Sequence, residues 1–225
     1  MIVFDKVSKK FPLGNFALNE VSFEIEDNEF VFLVGPSGAG KTSILKIILK
    51  EIYHTSGSVF IDDEDITSSE FTKTTRLRRK IGVVFQDFKV LADKNVFENI
   101  AVSCQVKSFP NSETKNKVKE ALLLVNLAEK EKVFQIQLSA GELQRVAIAR
   151  AIVDERKYLL ADEPTGNLDP KTSWEIMKIF KKLEKKKTIV IATHNSDIVN
   201  SFQKRVLVLK EGKLIKDQRK GGYDL

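Results

Sequence analysis

The sequence predicts an α/β fold, and two observations lead to this class. Short runs of continuously apolar residues are typical of strands that are buried on both faces of a parallel sheet. Patterns with helical periodicity lie between these runs, as expected where helices connect parallel strands. The apolar runs are FVFLV (30–34), IGVVF (81–85), YLLA (158–161) and TIVIAT (188–193).

The first sixty residues read as a series of short strands separated by turn-forming residues. FVFLV is the third of these strands, and the helical pattern SILKIILKEI (43–52) follows it after a glycine-rich stretch. The other predicted strands of this region are MIVFDKV (1–7), VSFEIED (21–27) and SGSVFIDD (56–63).

Residues 91–157 lack strand signals and show helical periodicity instead. Pro110-Asn111 is the clearest break within this region. We therefore predict a single domain with an α/β core (1–90 and 158–225) and a helical insertion (91–157). The predicted helices of the insertion are NVFENIAVSCQV (95–106), TKNKVKEALLLVNLA (114–128) and AGELQRVAIARAIV (140–153).

Composition excludes several classes of protein. A net charge of +6, spread over scattered lysines, permits attraction to nucleic acid or to anionic lipid but requires neither. Cys104 is the single cysteine, so an internal disulfide is impossible, and with only His54 and His194 no zinc site can be assembled. No apolar run is long enough to span a bilayer, and the N-terminus lacks the order of a signal peptide. We expect a cytoplasmic protein.

The stretch GPSGAGKT (35–42) directly follows the strand FVFLV and matches GxxxxGK[ST]. Glycines at 35 and 40 let backbone N–H groups close around phosphate oxygens, Lys41 supplies a positive charge to the terminal phosphates, and Thr42 offers a hydroxyl to Mg²⁺. The next helix adds the positive end of its dipole. This loop is therefore predicted to bind the phosphates of a nucleotide. Its predicted binding residues are Gly35, Pro36, Ser37, Gly38, Ala39, Gly40, Lys41, Thr42 and Ser43.

The other three apolar strands end at polar residues, namely Gln86, Asp162 with Glu163, and His194. Since ligands bind beyond the carboxyl ends of parallel strands, we expect these residues to meet the phosphate loop in one crevice. Asp162 is placed to hold Mg²⁺ through water, Glu163 to orient or deprotonate an attacking water, and His194 to contact the terminal phosphate. Each also has a simpler interpretation: an exposed loop residue, a turn, or a helix cap.

The stretch LSAGELQ (138–144) has two interpretations. Ser139 followed three positions later by Glu142 is a capping box, in which each side chain satisfies a backbone N–H at the helix start. The same serine could instead contact a phosphate held by another copy of the chain. A helix N-terminus serves both uses at once.

Taken together, these motifs resemble those of ABC-type ATPases, in the family's order and over nearly the whole chain. GPSGAGKT resembles the Walker A loop, VVFQD the Q-loop, LSAGELQ the signature motif, LLADEP the Walker B element, GNLD the D-loop and ATHN the switch loop. The resemblance implies a P-loop NTPase core with a mixed, mainly parallel sheet, an N-terminal antiparallel β-subdomain and an inserted helical subdomain.

The resemblance also implies roles for particular residues. Gln86 would bind Mg²⁺ and also take part in catalysis. Ser139 and Gly141 would bind ATP that is held on the opposite subunit. Phe11 aligns with the aromatic residue that stacks on adenine, although it could equally be a core residue. Asp169 would contact the dimer partner, or cap the helix that starts at Pro170, or do both. Ala140 replaces a glycine that is usual in the signature motif and is tolerable only at negative φ.

The implied cofactors are ATP and Mg²⁺, and the implied assembly is a homodimer that closes on ATP. An integral membrane partner would hold the protein at the inner face of the cell membrane.

Within the family, the sequence around these motifs is most similar to that of ABC ATPases of bacterial cell division. ATPases of lipoprotein-release and macrolide-export systems are the alternative. A DNA-associated ABC ATPase is a further alternative, although we expect no specific nucleic-acid partner. The Asn-Lys-x-Asp motif of small GTPases is not matched, because Val118-Lys119 follow Asn116-Lys117.

Overall fold

The computed structural model describes residues 1–12 and 14–222, which form two compact units. The first unit joins residues 1–78 to 188–225, and the second comprises residues 79–187. The predicted subdivision into a core and a helical insertion at 91–157 groups the chain differently and stays a prediction. Each unit contains strands and helices, as an α/β fold requires.

The elements of the described residues are numbered in chain order. They are β1 (Ile2–Lys10), β2 (Phe16–Ile25), β3 (Phe30–Val34), α1 (Lys41–Ile48), β4 (Ser56–Ile61), β5 (Glu64–Asp65), α2 (Thr74–Arg79), β6 (Ile81–Val84), α3 (Val96–Val106), α4 (Asn111–Leu124), α5 (Ala140–Ile152), β7 (Tyr158–Asp162), α6 (Pro170–Leu183), β8 (Thr188–Thr193), α7 (Ser196–Phe202), β9 (Arg205–Lys210) and β10 (Lys213–Gln218), with short 3₁₀ turns at Ala128–Lys130 and Gln135–Gln137.

Two sheets build the first unit. An antiparallel sheet has the strand order β2-β1-β4-β5, with Ile2 opposite both Ile25 and Ile61. These three isoleucines are fully or almost fully buried, so this sheet has an apolar face of its own. The implied N-terminal antiparallel sheet is thus present.

In the second sheet of this unit, β3 lies between β8 and β9 and runs parallel to both, while β10 pairs antiparallel with β9. Every residue of β3 and of β8 is buried. Continuous apolar runs therefore fill the centre of the sheet, as the sequence predicts for strands covered on both faces. Val34 of β3 stands beside Thr193 of β8 at their common carboxyl end.

The second unit contains the parallel pair β6 and β7 together with the helices α3 to α6. Residues 82–84 of β6 pair in register with residues 159–161 of β7. Helix α5 packs against β6, and its Gln144 and residues 146–149 are almost completely inaccessible to solvent. This packing explains why RVAIARAI is apolar on more than one face.

Several elements were not predicted from the sequence. They are the two-residue strand β5, helix α2, and the hairpin of β9 and β10. Strand β2 also begins five residues earlier than predicted, because Phe16 and Leu18 pair with the second half of β1. Within residues 1–12 and 14–222, no helix has both the length and the apolar character needed to cross a membrane.

Candidate functional site

The phosphate loop occupies the predicted position between the buried strand β3 and helix α1. Residues 36–38 at its tip are exposed, whereas Ala39 and Gly40 are buried. Helix α1 begins at Lys41 without a side-chain cap and without an acidic residue in its first turn. The positive end of its dipole therefore faces no competing carboxylate on its own first turn, which suits an anionic ligand.

Two glycines of the loop are required by close backbone packing. Gly40 has a φ of 108°, and a Cβ there would lie 2.5 Å from the backbone oxygen of Ala17. At Gly35 a Cβ would lie 2.2 Å from the backbone oxygen of Leu209. Gly38 also has a positive φ, of 79°, but no atom lies within 4 Å of its Cβ position. The glycines of the loop are thus needed for different reasons. Their backbone conformation is compatible with a loop that binds phosphate.

Lys41 folds back over this loop. Its ammonium group donates hydrogen bonds to the backbone oxygens of Gly35 (2.7 Å) and Pro36 (3.2 Å), and the residue is 7% exposed. These bonds hold the positive charge of Lys41 against the backbone of the loop. Thr42, next along the helix, is exposed. Both side chains are therefore placed in the first turn of α1, as the motif predicts.

His194 follows β8 directly and is exposed. Since Val34 and Thr193 are register partners on neighbouring parallel strands, His194 and the phosphate loop leave the sheet at the same edge. The cap of α7 is Asn195, whose side chain accepts from the backbone N–H of Ile198 at 3.1 Å. The interpretation of His194 as a helix cap is thus wrong, and its side chain is not committed to that role.

Phe11 lies between β1 and β2 with 42% of its surface exposed, so it is not a core residue. The ammonium group of Lys9 lies 5.1 Å from the centre of its ring. An exposed aromatic face on a loop suits stacking against a planar base better than it suits packing. Its predicted contact with adenine stays a prediction.

Gln86, Asp162 and Glu163 lie together at one edge of the second unit, because the parallel strands β6 and β7 end there side by side. Gln86 is exposed, and its backbone oxygen accepts from the side chain of Asn167 at 3.2 Å. Glu163 has a positive φ of 46°, which L-residues rarely adopt. The strained backbone places a carboxylate directly beyond the strand, as at many functional sites.

The capping box of α5 is present as predicted. The Ser139 side chain accepts from the backbone N–H of Glu142, and Glu142 in turn accepts from the backbone N–H of Ser139 at 2.9 Å. Ala140 is the first residue of the helix and does not belong to the residues with positive φ. A Cβ at this position is therefore accommodated without backbone strain. Ser139 is exposed beside this helix start.

Gly141 lies against the start of helix α6. A Cβ at Gly141 would lie 2.5 Å from the Cγ2 atom of Thr172, so a larger residue would push the two helix starts apart. Asp169 caps α6 by accepting from the backbone N–H of Thr172 at 3.0 Å, with Pro170 as the first helical residue. Hydrogen bonds with Thr172 hold the pKa of Asp169 below its usual value. The capping interpretation of Asp169 is confirmed.

The signature motif and the D-loop line one cleft of about 780 Å³ within the second unit. Residues 139–142 and 167–169 both line the cleft. Its lining carries positive and negative charges in equal number, from Arg145, Lys178 and Lys182 and from Glu142, Asp169 and Glu175. Two motifs that begin 28 residues apart in sequence, at 138 and 166, thus belong to one surface.

Two residues of this unit were missed by sequence reasoning. Gln144 is completely buried, and its amide donates to the backbone oxygen of Pro164 at 2.7 Å, directly after Glu163. Lys130 pairs with Glu142 of the capping box. A glutamine inside an otherwise apolar helix face was a usable signal for Gln144. Lys130 has no such signal, because only the fold brings it to α5.

The structure places the phosphate loop, Phe11 and His194 in the first unit, and Gln86, Asp162, Glu163, Ser139 and Gly141 in the second. Within each unit the predicted neighbours come together at the carboxyl ends of parallel strands. The prediction that the two groups serve one nucleotide stays a prediction.

Two proteins of known name are similar to this chain over almost its whole length. The cell division ATP-binding protein FtsE of Bacillus subtilis is 46% identical over 224 residues, spanning 99% of this chain and 98% of that protein. The FtsE protein of Escherichia coli (strain K12) is 40% identical and covers 95% of this chain and 97% of its own length.

Solved structures agree with this similarity. A dimeric ATP-binding cassette in a post-hydrolysis state, bound to ADP and Pi, superposes with a TM-score of 0.89 at 34% identity, covering 99% of this chain and 100% of that one. The fold expected of an ABC ATPase is thereby confirmed. The sequence model of the ABC transporter family matches residues 18–166. The chain therefore belongs to the ABC transporter family, as one of its ATP-binding, ATP-hydrolysing members.

Proposed function

We propose that the chain is the ATPase subunit of a membrane complex of the FtsEX type, which acts in bacterial cell division. The observation that carries this proposal is its 46% identity to a cell division ATP-binding protein over 99% of the chain. The FtsE proteins of Streptococcus pneumoniae and Escherichia coli are 44% and 40% identical to the chain. Identity over almost the full length supports this role, and ATPases of lipoprotein-release and macrolide-export systems stay the alternative.

The nucleotide is held mainly by backbone and cationic groups of the chain. The loop from Gly35 to Ser43 surrounds the phosphates, with Lys41 as their counter-charge. Thr42 and Gln86 would supply oxygen ligands for Mg²⁺, which prefers such hard donors, and Asp162 would hold the ion through water. Phe11 stacks on adenine. When bound, MgATP supplies the phosphoanhydride bond that is broken.

Hydrolysis depends on polar side chains that follow the strands. Glu163 accepts a proton from the attacking water or orients it, because its carboxylate is held at a strand end. His194 donates to the terminal phosphate and stabilises the charge that develops there. Gln86 would orient the attacking water and would bind Mg²⁺. These roles follow from the chemistry of each residue and from the family's motifs.

The active assembly is a homodimer. Ser139 and Gly141 stand at the exposed N-terminal end of α5, where backbone N–H groups and the helix dipole favour an anion. We infer that they contact a nucleotide held by the second copy. A related cassette was solved as a dimer with ADP and Pi, which supports this assembly.

An integral membrane partner resembling FtsX receives the motion of the dimer and controls cell-wall hydrolases on the other side of the membrane. The chain is thus peripheral to the cytoplasmic face of the membrane. This part of the proposal is tested by purifying the chain from membranes under mild conditions and identifying the multi-spanning protein that accompanies it. An FtsX-like protein supports the proposal, and a lipoprotein-release or exporter permease contradicts it.

The catalytic assignment is tested by Glu163→Gln. The amide keeps the size of the side chain but accepts protons far more weakly, so we expect ATP turnover to fall by at least about 100-fold. ATP binding, measured by fluorescence of a labelled nucleotide, should persist. Glu120→Gln is the matched control, because Glu120 is an exposed residue of α4, away from the strand ends. Unchanged turnover in Glu163→Gln, with binding intact, would show that another group is the base.

A further inference from the structure

Lys130 makes a charged contact with the signature motif from outside it. The residue ends the 3₁₀ turn Ala128–Lys130, and its ammonium group donates to Oε1 of Glu142. The side chains of Lys130 and Glu142 are 40% and 25% exposed, so water screens the pair only in part. Lys130 thus neutralises the one acidic residue in the first turn of α5.

The second carboxylate oxygen of Glu142 holds Ser139. Oε2 accepts from the backbone N–H of Ser139 at 2.9 Å and from its hydroxyl at 3.1 Å. The hydrogen bond from Lys130 is the largest cause of a lowered pKa at Glu142, followed by the bond from the Ser139 backbone. Lys130, Glu142 and Ser139 therefore form one connected chain of hydrogen bonds.

A serine hydroxyl has a single proton to donate. In the structure this proton points to Glu142, so Ser139 can donate to a phosphate oxygen only after its hydroxyl turns away from the carboxylate. Without Lys130, the carboxylate of Glu142 would oppose this rotation of the hydroxyl, because an unpaired carboxylate is a strong acceptor. Its negative charge would also repel the approaching phosphate. The ammonium group of Lys130, bonded to Oε1, makes Oε2 a weaker acceptor and offsets the negative charge of Glu142, so it reduces both effects.

We propose that Lys130 is a positioning residue for the ATP-driven dimer: its pairing with Glu142 weakens that carboxylate as an acceptor, so that the Ser139 hydroxyl turns more readily to a phosphate held by the second copy. The proposal rests on the function proposed above, in which Ser139 contacts that phosphate. It adds a residue that lies outside the signature motif and does not touch the nucleotide. Its role is to control the acceptor that competes for one proton.

The test measures the ATP concentration that gives half-maximal dimer formation, by sedimentation velocity. All chains also carry Glu163→Gln, so that ATP is not consumed during the measurement. Lys130→Met removes the charge but keeps an unbranched side chain. We expect it to raise the half-maximal ATP concentration about two- to fivefold, because partly exposed ion pairs contribute little more than this. The increase should shrink at high salt, where the free carboxylate is screened.

Rescue separates an electrostatic role from a structural one. Glu142→Gln keeps a capping-box residue at the third helical position but carries no charge. In the double variant Lys130→Met with Glu142→Gln, the half-maximal ATP concentration should return to that of Glu142→Gln alone. A double variant as impaired as Lys130→Met would overturn the proposal, since lost packing is not repaired by removing a charge.

Further variants decide the remaining outcomes. Lys132→Met is the matched control, because Lys132 is an exposed lysine of the same segment, and we expect no change from it. Lys130→Arg should behave like the parent chain, and thermal melting confirms that each variant is folded. If Ser139→Ala impairs assembly but Lys130→Met does not, the role of Lys130 is wrong and the proposed function stands. If Ser139→Ala has no effect, the proposed contact of the signature serine fails, and the role of Lys130 with it.

Discussion

At the scale of single residues, the phosphate loop separates two reasons for glycine. Gly38→Ala adds a methyl group in open space at a positive φ, so it costs only backbone strain, about 1 kcal/mol. Gly40→Ala adds the same strain and also a contact of 2.5 Å with a backbone oxygen. We expect its cost in unfolding free energy to be about 2–4 kcal/mol. Urea unfolding without nucleotide measures both.

Each of the two variants is the other's control, because the substitution is the same and the positions lie two residues apart. Working without nucleotide keeps effects on ATP binding out of the comparison. Equal costs at both positions would contradict the steric argument, and would mean that the loop shifts to accept a Cβ at Gly40.

The roles of residues were predictable where all the residues that act together lie in one short sequence motif. Gly35, Gly40 and Lys41 follow from GxxxxGK[ST], and Ser139 with Glu142 from their spacing of three. The contact of Lys130 with Glu142 was not predictable, because a 3₁₀ turn and a loop lie between them and set the distance. The conformation of Ala140 was also open until its place inside the helix was known.

At the scale of elements, helix α3 depends on a complete capping box. Asn95 accepts from the backbone N–H of Glu98, and Glu98 accepts from that of Asn95, each at 2.9 Å. We expect Asn95→Ala to lower the free energy of unfolding by about 1 kcal/mol, since one N–H of the first turn loses its acceptor. Chemical denaturation at neutral pH measures this change.

Asn111→Ala is the control for this prediction. Asn111 is exposed at the first position of α4, and the cap of that helix is Pro110, which makes no side-chain cap hydrogen bond. We expect its replacement to change stability by less than about 0.5 kcal/mol. Equal losses from both substitutions would show that general helix propensity, rather than the capping box, explains the effect.

Strands were predictable from the sequence where they consist of consecutive apolar residues. Strands β3, β7 and β8 are buried runs, and their positions follow from the sequence almost to the residue. Strand β9 carries the same signal, since residues 206–209 are all buried, and it could have been predicted too. Strand β10 could not, because most of its residues are exposed and half of them are charged, and its pairing partner is β9.

At the scale of the whole molecule, the proposed dimer predicts complementation. Chains with Lys41→Ala cannot hold the phosphates, and chains with Ser139→Ala cannot complete the site on a partner. In a mixed dimer the two defects fall in the same site, which leaves the other intact. We expect each variant alone to be nearly inactive, and mixed dimers of defined composition to recover ATP turnover to roughly half of the wild-type value.

The control is a mixture in which both chains carry Lys41→Ala, because it contains no intact site. Binding of labelled ATP should show one tight site in each mixed dimer. Mixed dimers that bind no nucleotide tightly, although their composition is verified, would argue that each chain builds its site alone. Full activity in a variant that is held monomeric would lead to the same conclusion.

The left-handed backbone of Glu163 has a consequence for engineering. Glycine adopts a φ of 46° freely, whereas a glutamate there costs roughly 1 kcal/mol. A search for more thermostable versions of this chain, scored by melting temperature alone, would therefore select glycine at the position of the proposed base. Such a chain would have a higher melting temperature but would lose its capacity to hydrolyse ATP. Screens must therefore measure the rate of ATP hydrolysis as well as the melting temperature.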